Sequence, residues 1–189
     1  MKKITITILT IMLSGAMFVA CKKKDDPKPS NPQNPNEQEQ ITTLKLILTE
    51  DGTTNVSTFQ FADLDGPGGN PPTQDNIVLS ANKTYHGRIV LLDQTKNPVD
   101  SVSNEVEEKK DIHEFFFTPA GVNITSTYTD FDTHGVPVGL YPDFATGAAS
   151  TGTLKITLKH QPGLKPTSGN GDITIGETDI EVTFNVSVL

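Results

Sequence analysis

Two of the four histidines in this chain sit where an imidazole could do more than fill space. His113 opens the stretch His113-Glu114-Phe115-Phe116-Phe117. If residues 112–118 form a strand, His113 shares a face with Phe115 and Phe117, because side chains alternate across a pleated ribbon. His160 closes residues 153–160 on a face with Leu154, Ile156 and Leu158. Antiparallel pairing of these strands would bring both rings to one end of the fold. Two imidazoles there could ligate a transition metal, with Asp111, Glu114 or an acidic loop completing the shell. The alternative is a pair of rim histidines, each bonded to backbone.

Acidic loops offer a second chemistry. Asp130-Phe131-Asp132-Thr133-His134-Gly135 begins like a calcium loop, in which alternating oxygens wrap the cation and glycine permits the sharp bend. It departs from that pattern at His134, where Asp or Asn is usual, and at Tyr141, where a bidentate Glu belongs. Asp63-Leu64-Asp65-Gly66, running on to Asn70 and Asp75, is a second oxygen-rich stretch. Asp and Gly are also what ordinary turns use, so calcium stands here against plain turn chemistry. No Gly-x-Ser-x-Gly elbow, phosphate loop, His-Glu-x-x-His or Cys/His cluster occurs, and an enzyme is not expected. There is no Trp and there are only three Tyr, which speaks against an aromatic platform for sugars.

The elements that must hold these groups read as strands. Leu44, Leu46 and Leu48 alternate with polar neighbours, as do Phe59 and Phe61 across residues 57–62. Residues 77–79, 85–93, 112–118, 122–129 and 153–160 follow. In residues 179–189, Ile180, Val182, Phe184, Val186 and Val188 face one way, with Asp179, Glu181, Thr183 and Asn185 opposite. Residues 99–110 carry Val99, Val102 and Val106 at mixed spacings and read as an irregular edge crossover rather than a turn or two of helix. About eight short strands with polar turns predict an all-β fold, an antiparallel two-sheet β-sandwich of immunoglobulin-like or transthyretin-like form.

The single cysteine decides the organisation upstream. Lys2 and Lys3 precede an apolar run over residues 4–18, short of the roughly 20 residues that cross a bilayer. Residues 1–20 thus read as a secretory signal peptide. Ala20-Cys21 resembles the lipobox of bacterial lipoproteins, whose cysteine is acylated and becomes the new N-terminus; Phe18 stands where Leu is usual. Acyl chains on Cys21 would anchor the protein stably in a membrane. Lys24-Asp25-Asp26 resembles the export signal that carries Bacteroidota lipoproteins to the cell surface. From Cys21 to residue 40 the composition is Pro, Asn, Gln, Lys and acid, expected to form an extended, disordered tether. Residues 41–189 then supply one domain. Asp100-Ser101-Val102 resembles the O-glycosylation site of Bacteroidota exported proteins, with Ser101 as acceptor.

Residues 1–20 hold two lysines and no acid, so the chain from Cys21 on carries 13 basic against 23 acidic side chains, net −10. That argues against nucleic acid and anionic lipid as partners, and is compatible with cation capture. With the anchor motifs, the stretches Asp63-Leu64-Asp65-Gly66, His113-Glu114-Phe115-Phe116-Phe117, Tyr128-Thr129-Asp130-Phe131-Asp132 and Gly176-Glu177-Thr178-Asp179-Ile180-Glu181-Val182-Thr183-Phe184 make the chain similar to a group of small Bacteroidota envelope lipoproteins. Members of that group are often labelled as type 1 periplasmic binding fold proteins, a label that implies two α/β lobes. The resemblance implies no particular activity and transfers no site residues. The expectation is an outer-membrane-anchored, surface-exposed lipoprotein with a non-catalytic binding domain. It would bind metal or serve as an accessory to a TonB-dependent receptor or other envelope protein. The alternative is a structural or adhesive surface module with no small-molecule site.

Overall fold

The computed structural model describes residues 39–189. The expected signal peptide, Cys21, the Lys24-Asp25-Asp26 motif and nearly all of the tether lie outside the described residues. Ten strands occur in chain order: β1 (Thr43–Glu50), β2 (Val56–Ala62), β3 (Thr73–Gln74), β4 (Ile77–Leu79), β5 (Thr84–Leu92), β6 (His113–Ala120), β7 (Ile124–Tyr128), β8 (Pro142–Thr146), β9 (Ser150–His160) and β10 (Glu177–Val188). They form a six-stranded sheet, ordered β3-β2-β1-β5-β8-β7, and a four-stranded sheet, ordered β4-β10-β9-β6. The two-sheet β-sandwich predicted by the alternating sequence is the fold. The described residues do not form the two α/β lobes that the family label implies.

Alternation explains the core. Leu44, Leu46 and Leu48 of β1, Ile89 and Leu91 of β5, Leu154, Ile156 and Leu158 of β9, and Val182, Phe184, Val186 and Val188 of β10 all turn inward and are buried. One side chain of this size contributes about 1.5–3 kcal/mol on leaving water. Register follows: a one-residue slip in β1, paired Leu46↔Ile89 with β5, would turn its three leucines to solvent.

Three features differ from expectation. First, there are ten strands among the described residues rather than about eight. The additions are the two-residue β3 and β8, where Pro142, Phe144 and Thr146 alternate inward between turn residues. Gly87 lets β8 approach β5 closely, since a Cβ there would collide with the Pro142 carbonyl. Second, β4 runs parallel to β10, pairing Ile77↔Val186 and Leu79↔Val188, so that sheet is mixed. Third, residues 99–110 are not an irregular crossover: they contain a helix, α1 (Val102–Glu108). Val102 and Val106, four apart, are both buried. Ser103 of α1 accepts the Leu91 N–H at 2.6 Å, a donor that β8 is too short to reach. The helix therefore stands in for a missing strand neighbour of β5. Ser101 is the N-cap of α1 without a side-chain capping bond. Among the described residues no helix is long and apolar enough to cross a membrane.

Candidate metal centre

Antiparallel pairing of β6 with β9 places His113 directly opposite His160. Both residues are the core-side terminal positions of their strands, as the alternation requires. Their rings stack with centroids 4.7 Å apart and planes 10° from parallel. His113 is 0% exposed and His160 2%.

A third donor comes from β10. Thr178 pairs with Lys159 and Ile180 with Leu158, so Asp179 is the extra residue of a β-bulge. A bulge re-aims the inserted side chain. Strict alternation put Asp179 on the solvent face; the bulge turns its carboxylate inward, with no side-chain exposure and Oδ2 3.6 Å from His113 Nε2. That separation is too long for a hydrogen bond. Gly176 sets up the turn into β10: its φ is +74°, and a Cβ would collide with the His160 carbonyl.

Four polar atoms of this cluster lack hydrogen bonds. His113 Nε2, His160 Nε2 and both oxygens of Asp179 are buried with no hydrogen bond. A buried unsatisfied group costs about 1–3 kcal/mol. His113 Nδ1 lies 3.1 Å from the Lys109 carbonyl, which can only accept. The proton is therefore on Nδ1, and Nε2 presents a bare lone pair, as a metal-bound imidazole does. Burial lowers His113 to about 4, outweighing the opposite pull of the Lys109 carbonyl. Burial also lowers His160. Burial raises Asp179 to about 7, helped by the charges of Glu39 and Glu177. At neutral pH the site holds two neutral imidazoles and a carboxyl on the verge of ionising.

Ligand atoms of the three residues all lie within 4.8 Å of one another. Donors around tetrahedral zinc, each at ~2.1 Å, stand about 3.4 Å apart. The observed 3.6 Å between His113 and Asp179 matches one edge of such a shell. Near-parallel rings do not aim two lone pairs at one point, so capture of an ion requires the rings to open from their stack. Imidazole donors favour late first-row divalent metals over calcium or magnesium.

The other anticipated residues are engaged elsewhere. Asp130 accepts the backbone N–H groups of Gly139, Leu140 and Tyr141 at 3.1, 2.9 and 3.2 Å. Asp132 Oδ1 accepts those of His134 and Val136, each at 2.8 Å. Its Oδ2 meets Lys165 Nζ at 3.0 Å. Asp111, Asp132 and His134 do converge, but the buried ammonium of Lys165 already supplies a cation there. Lys165 also donates to the carbonyls of Lys110 and His113 at 2.8 and 2.9 Å, bolting the loop after β9 beneath the histidine pair. Asp111 is taken up by Thr133, whose N–H donates at 2.9 Å. Asp63 accepts from Gly66, and Asp65 from Asn70, as turn residues do. Glu114 alternates to the opposite face from His113, where burial raises it to about 7 and the Lys165 charge, then the Gly171 N–H, partly offset this.

Sequence reasoning thus reached His113 and His160 but missed Asp179 and Lys165. Nothing in the residue types marks a bulge. Lys165 sits in a loop of Gly, Pro and Ser where a lysine reads as solvated. Compared with protein-family models, curated proteins and solved structures, the chain matches none.

Proposed function

We propose that this chain is a lipid-anchored envelope protein whose β-sandwich captures a late first-row divalent metal ion at His113, His160 and Asp179, without transforming a substrate. The carrying observation is the convergence of three buried side chains whose Nε2 and carboxylate atoms have no hydrogen-bond partner in the protein. A cation would satisfy all of them at once, and few other ligands are small enough for so closed a space. The same closure disfavours catalysis, since an organic substrate has no room beside the ion. The acidic chain favours cation approach. Anchoring through Cys21, export by Lys24-Asp25-Asp26 and display on the outer membrane rest on the sequence motifs and on the resemblance to Bacteroidota envelope lipoproteins. In that setting, handing metal to a TonB-dependent receptor is the partner role such a module suits.

Thermal melting of the full chain in detergent, after EDTA and then with Zn²⁺, Cu²⁺ or Ca²⁺, tests the metal reading. Zinc or copper at about 100 times Kd should add about 2.7 kcal/mol, with calcium inert. No shift with any of these ions would refute metal capture and leave the structural or adhesive module. Protease treatment of intact cells checks display: a protected domain would contradict surface exposure.

A further inference from the structure

Beneath the histidine pair, Lys165 and Asp132 form a second closed cluster. Their side chains are 1% and 0% exposed, and Nζ stands 3.0 Å from Oδ2. A charge-assisted pair at that distance would normally share an aligned hydrogen bond. Here Oδ2 is buried without one, while Nζ donates to the carbonyls of Lys110 and His113 at 2.8 and 2.9 Å. The other carboxylate oxygen, Oδ1, accepts the N–H groups of His134 and Val136, each at 2.8 Å. An amine is thus pinned against a carboxylate whose far oxygen is already held by two backbone donors. We infer that Lys165 and Asp132 condense into an intramolecular isopeptide bond, a covalent modification that is independent of metal capture.

The step balances within the pair. The bond formed joins Nζ to Cγ, and the bond broken is Cγ–Oδ2. Of the three ammonium protons, one stays as the amide N–H and two end on Oδ2, which leaves as water. Oδ1 carries the charge that develops when Nζ adds to Cγ, and the His134 and Val136 N–H groups already sit at the distance that stabilises it. Fixed neighbours of this kind react as though at very high concentration. The product also replaces two buried charges, which are costly to keep from water, by one neutral amide. Its remaining N–H can serve the Lys110 or the His113 carbonyl. The link would join the loop between β7 and β8 to the loop after β9, and a cross-link of this sort restricts the unfolded chain as a disulfide does. The sequence holds a single cysteine, so a disulfide within it is not available for that purpose.

Peptide mapping by mass spectrometry tests this on the full chain purified in detergent, both fresh and after prolonged incubation of the folded protein. Trypsin cuts after Lys110, Lys155 and Lys159 but not at Lys165, which precedes Pro166, so Asp132 and Lys165 fall in separate peptides, 111–155 and 160–189. In the wild type these two should travel as one branched species, lighter by one water than their sum, and fragmentation should place the junction at Asp132 and Lys165. Asp132→Ala removes both the counter-charge and the carbon that Nζ attacks, and Lys165→Arg keeps a cation but cannot close the bond in this way; each should give two separate peptides. Two separate peptides of full mass from the wild type, fresh and incubated alike, would overturn the isopeptide bond and leave a plain ion pair. That result does not depend on either variant folding. A branched species that persists in Asp132→Ala, or a junction at another carboxyl, would overturn it as well. Metal capture stands or falls separately, on the zinc titration.

Discussion

Asp179→Ala separates a donor from a structural residue by the sign of its effect. In the ion-free protein the Asp179 side chain is fully buried and neither oxygen has a hydrogen bond, with His113 Nε2 standing 3.6 Å from Oδ2. Removing it recovers about 1–3 kcal/mol of desolvation penalty. The group fills roughly the volume of one water, about 30 Å³. Leaving that volume empty costs about 0.7 kcal/mol at ~24 cal/mol per Å³. The net is a stabilisation of about 0.3–2.3 kcal/mol in EDTA, up to a few degrees in Tm for a domain of this size. With zinc the order reverses, because the wild type gains about 2.7 kcal/mol at 100 times Kd and the variant, short of a donor, gains far less. Melting curves of both proteins, with EDTA and with zinc, should cross. An ion-free variant less stable than wild type by more than about 1 kcal/mol would mean that the carboxyl has a protein partner and is structural. Equal zinc shifts in the two proteins would show that Asp179 is not a ligand.

Further predictions probe the supports. Asp132→Ala leaves the buried Lys165 ammonium without its counter-charge and should cost about 3–5 kcal/mol in urea unfolding; a loss below about 1 kcal/mol would mean that the two carbonyl acceptors suffice. Gly176→Ala meets both a positive φ and the His160 carbonyl, so a loss of about 1–3 kcal/mol and weaker zinc binding are expected, whereas wild-type values would show that the turn yields freely. His86 has its pKa raised by hydrogen bonds to Asp143 and then Asp51. A raised histidine stabilises fully below its unfolded pKa and ceases to do so as pH rises through the folded one. The Tm gap between wild type and His86→Asn should therefore be larger at pH 5.5 than at pH 8.5, and a gap independent of pH would contradict the pairing.

Period-two alternation carried the fold because every long strand buries one face. Leu44, Leu46 and Leu48 or Val182, Phe184 and Val186 cannot be placed otherwise. Alternation failed where a strand breaks its own period. Asp179 has the residue type of a solvent-facing position, and only the bulge against β9 brings it inside. The short helix was obscured by β-branched valines and a cap that makes no side-chain bond, so that only the Val102/Val106 pair recorded it. Two of the three site residues were legible for a related reason. The expectation that His113 and His160 meet needed only strand ends and antiparallel pairing, whereas Asp179 needed the register of a third strand. Glu114 illustrates the converse: one residue from His113 in sequence, it faces the opposite way.

Isothermal titration of the full chain with zinc addresses the central claim most directly. The wild type should bind one ion per chain, and His113→Ala with His160→Ala should abolish the heat. Binding that survives the loss of both histidines, or no binding by the wild type, would contradict the account.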